Sequence, residues 1–92
     1  MEITEKLLKS LGFEKNKVTK EESGADAYYY YSIDLLTDDN GYSAITLLSC
    51  ANDEVEENGG WVVEVIDNGH HKIKDAALLT TFIMVCRDIE NQ

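Results

Sequence analysis

Proline is absent from the 92 residues, so no turn rests on a fixed φ and no slow prolyl isomerisation belongs to folding. Arginine occurs once, as Arg87, and all bases together number 8 against 18 acids, giving a net charge of −10. Nucleic-acid affinity comes mainly from cations that neutralise phosphates, so this shortage argues against a nucleic-acid partner. The same repulsion opposes anionic membrane surfaces. Cysteine occurs twice, as Cys50 and Cys86, without the close spacing of a metal-ligand pair or a redox motif. Both lie in apolar segments and are expected to be free thiols in a reducing compartment. No apolar run approaches about 18 residues, so no membrane span is expected. The charged opening Met1-Glu2-Ile3-Thr4-Glu5-Lys6 is unlike a secretion signal. The expected location is the cytoplasm.

What is present is enough for a core. A hydrophobic fraction of 43% supports one packed domain over residues 1–92. Residues 4–11 read as a short helix capped by Thr4, with Ile3, Leu7, Leu8 and Leu11 on one stripe. Gly12 fits the left-handed position after its end, and Phe13 packs back on the last turn. Residues 14–27 are polar and are expected to form a mobile loop, with room for a short edge strand near Val18. Three strands follow, over 28–36, 42–51 and 61–67. The Asp38-Asp39-Asn40-Gly41 turn joins the first two, and an acidic loop over 52–60 joins the second to the third. Asn68-Gly69-His70-His71 reads as a turn. Residues 75–90 read as the main helix, capped by Asp75.

That helix carries a wide apolar arc. Leu78, Phe82, Val85 and Ile89 form one stripe, and Ala76, Leu79, Ile83 and Cys86 widen it to about half the circumference. Such an arc calls for two neighbours, and the sheet and the N-terminal helix are the expected ones. The predicted fold is therefore α+β, in the order αβββα. It is a three-stranded antiparallel meander, second strand in the middle, with two helices packed on one face.

Strand periodicity then assigns faces. Tyr29, Tyr31, Ile33, Leu35, Ile45, Leu47, Trp61, Val63 and Val65 belong beneath the helices. Tyr28, Tyr30, Ser32, Ala44, Thr46, Leu48, Val62, Glu64 and Ile66 fall on the opposite face. A solvated antiparallel face should read mostly polar, and this one does not. Tyr28, Tyr30, Thr46, Leu48, Val62 and Ile66 are the candidate interaction surface, for a protein partner or a second copy of the chain.

The other constellations point to little chemistry. His70 and His71 with Asp67 have the right ligand types for zinc but not the spacing of a closed tetrahedron, so no metal is expected. The same histidines are the candidates for a general base near neutral pH, yet no readable motif places a nucleophile beside them. The run Asp53, Glu54, Glu56 and Glu57 lacks the alternating ligand order of a calcium loop. No enzyme activity and no cofactor are expected. An acidic surface can also imitate nucleic acid and occupy a nucleic-acid-binding site on a host protein, which is the alternative reading.

The order αβββα is similar to that of double-stranded-RNA-binding domains, with Lys72 and Lys74 at the phosphate-gripping position. Asp75 and the Asp38-Asp39 turn would repel phosphate there, so the likeness is one of topology. The helix ending Leu11-Gly12-Phe13, the tyrosine-rich strand, the strand opening at Trp61 after Gly59-Gly60, and the closing amphipathic helix together resemble small uncharacterised proteins of phages and other mobile elements. That resemblance implies an intracellular accessory role and carries no functional residues with it.

Overall fold

A computed structural model describes residues 1–66 and 70–91 of the chain. Helix α1 (Glu5–Ser10) starts where Thr4 Oγ1 accepts the Leu7 N–H at 3.1 Å. It ends in a Schellman arrangement. The Phe13 N–H reaches the Leu8 carbonyl, the Gly12 N–H reaches that of Lys9, and Gly12 has φ +96°. The guanidinium of Arg87 donates to the Leu11 carbonyl, tying this end to the last helix.

The sheet has five strands, and the class is α+β as expected. The strand count is larger than expected: β1 (Glu14–Val18) lies inside the segment read as a mobile loop, and β5 (His70–Ile73) lies where a turn was read. Between β1 and β2 (Tyr28–Thr37) runs a short helix, α2 (Lys20–Ser23), capped by Thr19 and closed by Gly24. Next come β3 (Ser43–Ser49), a 3-10 turn over Asn52–Glu54, α3 (Val55–Asn58), β4 (Val63–Ile66) and β5. Spatial order follows sequence order, and every pairing is antiparallel. The strand expected in the middle, β3, is the middle strand of the five. The 52–60 segment, read as an acidic loop, is largely a helical turn. Glu54 Oε1 accepts the Ala51 N–H at 3.1 Å, and Gly59 closes the turn with φ +74°. The extra strands also remove the likeness to the αβββα order of RNA-binding domains.

Polar edge strands explain the miscount. β1 pairs only with β2, and β5 is drawn along β4, so neither needs the apolar alternation of a central strand. Asn16 Nδ2 donates to Ser32 Oγ at 2.7 Å, and the Lys15 ammonium sits 4.0 Å from the Tyr29 ring centroid.

The core lies between the sheet and the helices. Tyr31, Leu35, Leu47, Val63, Val65 and Ile73 are buried on one sheet face, as the alternation predicts for the five of them assigned there. Leu8, Leu11 and Phe13 cover part of that face, and helix α4 (Ala76–Glu90) covers more, through Ala76, Leu79, Ile83 and Cys86. Asp75 caps α4 by accepting the Leu78 N–H at 2.9 Å. The arc of α4 is partnered on one side only. Leu78, Val85 and Ile89 are 57%, 52% and 51% exposed, so the N-terminal helix does not supply the second neighbour that the sequence calls for. At six residues, α1 is too short to lie along a 15-residue helix while also covering the sheet.

Candidate interaction surface

Register places the open face side chain by side chain. Ser32, Leu48, Glu64 and Lys72 form one row across four strands, and Asp34, Thr46 and Ile66 form part of the next. Tyr30 stands beside Asn16, and Tyr28 beside Val18, toward the β1 edge. Of the six candidates, Tyr28, Tyr30, Thr46, Leu48 and Ile66 are half-buried. Val62 is different. It lies just outside β4 and is only 8% exposed, so it forms a floor and not a contact point. Thr46 is also committed within the face, where its hydroxyl donates to Asp34 Oδ1 at 2.8 Å.

Leu48 and Val62 belong to a cleft of ≈ 280 Å³. Its other walls are Glu54 and Asn58 from the segment after β3, Glu64, the neighbours Ser49 and Cys50, Lys72 of β5 and Lys74 just beyond it. Sequence reasoning did not place Glu54, Asn58, Lys72 or Lys74 here. The period-two spacing of Lys72 and Lys74 was a strand signal that the neighbouring Asn68-Gly69 turn signal masked. Glu64 stands directly across from Lys72 in the β4–β5 register. The cleft thus joins an apolar floor to cations and carboxylates on its rim.

Ser49 Oγ accepts the Tyr31 N–H at 2.8 Å and donates to the Cys50 carbonyl at 2.8 Å, so its one proton is committed to the backbone. No histidine lines the cleft among the described residues. Cys50 and Cys86 are both free thiols, and burial, with the Glu90 carboxylate adding to it, raises the Cys86 thiol above its ordinary range. Asp67 of the histidine–aspartate trio lies outside the described residues, as do Asn68 and Gly69. Among the described residues no three His, Cys, Asp or Glu side chains converge on a metal position, and no helix is long and apolar enough to cross a membrane.

A second polar group sits under the helices. Tyr31 is fully buried, and its hydroxyl donates to Glu5 Oε1 at 2.8 Å. Burial, then the hydrogen bond to Glu5, pushes the Tyr31 phenol up to about 12. For Glu5, burial pulls upward, but hydrogen bonds from Tyr31 and Tyr29, aided by Lys15 and Lys9, leave the carboxyl below its usual value. Tyr29, Tyr31 and Trp61 pack with ring centroids 5.7–6.3 Å apart. Rings this close touch one another and leave no box for a cationic ligand. Compared with known proteins, the chain matches no family model, no curated protein and no solved structure.

Proposed function

We propose that the protein is a non-enzymatic, intracellular binding module that takes a protein partner on the open face of its sheet. The observation that carries this reading is the cleft on that face, where Leu48 and Val62 form an apolar floor and Lys72, Lys74 and Glu54 form a charged rim. Tyr28 and Tyr30 extend the surface toward the β1 edge, and tyrosine suits interface centres because it offers broad rigid contact with a polar tip. Leu48→Lys tests the reading. Leu48 is half-buried on the side away from the helices, so the variant keeps its fold while losing the partner captured by the wild-type chain. A variant that captures the same partner as well as wild type would refute the open-face site.

One observation favours the alternative of an acidic inhibitor. Antiparallel order brings the β1–β2 and β3–β4 connections to the same end of the sheet, and Asn52 Oδ1 accepts the Tyr29 N–H there at 2.8 Å. Glu21, Glu22 and Asp26 from one connection thus join Asp53, Glu54, Glu56 and Glu57 from the other. Under this reading Glu56→Lys with Glu57→Lys abolishes capture of a nucleic-acid-binding protein, and Leu48→Lys does not.

A further inference from the structure

Helix α4 has two apolar stripes, and the sheet covers one. The uncovered stripe is Leu78, Phe82, Val85 and Ile89: three of them more than half exposed, and Phe82 half-buried between them. Their spacing of four, three and four is the spacing by which one helix seats along another. At 3.6 residues per turn all four fall within an arc of about 60°. From Ala76 to Cys86 the helix carries no charge, although 28% of the chain is charged. We propose that this stripe is a homodimer interface, with α4 of one copy packed antiparallel on α4 of a second copy across a twofold axis.

The stripe is complementary to itself. With the axis between Ile83 and Met84, Leu78 meets Ile89 of the second copy, and Phe82 meets Val85 of the second copy. The twofold repeats both layers, so all four side chains are used and the larger Phe82 is matched with the smaller Val85. With their flanking atoms these side chains offer on the order of 500 Å² per copy, so a pair reaches about 1,000 Å², the lower bound for a specific interface. Charge selects the direction. Within α4 the acids Asp88 and Glu90 outnumber Arg87, and all three lie at its C-terminal end, while Ala76 to Cys86 carries no charge. Antiparallel packing sets each acidic end alongside the amino end of the other helix, where the dipole is positive. A parallel pair would set Asp88 against Asp88. The stripe lies on the outer side of the helical layer, so the dimer leaves the open sheet face free for its own partner.

Sedimentation of the full chain from about 5 to about 500 μM tests this directly. Wild type should move from the 10.4 kDa monomer to twice that mass. Val85→Glu should stay monomeric throughout with an unchanged circular dichroism spectrum, and Leu48→Lys should dimerise like wild type. Ile89→Ser, a milder change, should weaken the dimer at least about tenfold, which keeps the test decisive if Val85→Glu folds poorly. Wild type that stays monomeric at the highest concentration overturns the proposal. So does a dimer that survives Val85→Glu, or one lost in Leu48→Lys alone, since that would place self-association on the sheet face.

Discussion

Tyr31 shows how a single residue carries both a core and a polar link. Strand alternation alone puts it under the helices, and it is fully buried there. Its partner Glu5 could not be read from the chain, because the two are 26 positions apart and meet only once α1 lies on the sheet. The hydrogen bond goes to a charged acceptor, so Tyr31→Phe should cost about 1.5–3 kcal/mol of stability in a chemical melt. The pH dependence has a definite sign. The phenol's folded value is raised, so its contribution is complete below the unfolded value near 10 and is lost as pH rises through about 12. Five tyrosines titrate in the ultraviolet. One tyrosinate step should come last, together with loss of near-ultraviolet dichroism, and should be missing in Tyr31→Phe. Five steps that merge around the ordinary value would contradict the buried pair.

At the level of elements, legibility followed how locally each element is specified. The turn of α1 was readable because Thr4, Gly12 and Phe13 act within a few residues of one another. Gly12 combines two constraints. Its φ is +96°, and an added Cβ would lie 3.0 Å from the Arg87 guanidinium. Gly24 shares a positive φ but faces open space. Gly12→Ala should therefore cost about 1–2 kcal/mol for the left-handed backbone, plus the disturbed Arg87 contact, and should exceed the cost of Gly24→Ala. Equal losses for the two variants would mean that Arg87 yields freely. The edge strands were barely readable, β1 only as room for a short strand near Val18 and β5 not at all, because Glu14-Lys15-Asn16-Lys17-Val18 and His70-His71-Lys72-Ile73 have no apolar alternation to detect. Lysines on such edges discourage pairing with other chains, which is a reason for the composition that periodicity does not capture. The arc of α4 was legible, but its second neighbour was not, since an amphipathic pattern states how much surface must be covered and not by what.

Over the whole molecule, composition revealed the net charge of −10, while only the fold revealed its placement. Two connections distant in sequence are gathered at one end of the sheet by antiparallel order, and their seven acids, Glu21, Glu22, Asp26, Asp53, Glu54, Glu56 and Glu57, outnumber the lysines near them, Lys20 in one connection and Lys72 and Lys74 across the cleft from Glu54. Such crowding raises the free energy of the compact state relative to the extended chain, where like charges separate. Sodium chloride should relieve it, because the screening length falls from roughly 30 Å at 0.01 M to about 10 Å at 0.1 M. An opposing effect exists, since salt also weakens attractive pairs. The pair between the Met1 ammonium and Asp75 is exposed, and such pairs contribute little. Repulsion therefore decides the sign, and Tm should rise by a few degrees between about 0.01 and about 0.5 M sodium chloride. Chloride is the informative anion, because sulfate would also strengthen apolar burial. The copies of a dimer repel one another for the same reason, while the α4 stripe is uncharged, so the same salt should tighten self-association as well. Glu56→Lys with Glu57→Lys locates the source. It should raise Tm at low salt and flatten the salt dependence, whereas a Tm that falls with sodium chloride would show that attractive pairs outweigh the acidic end.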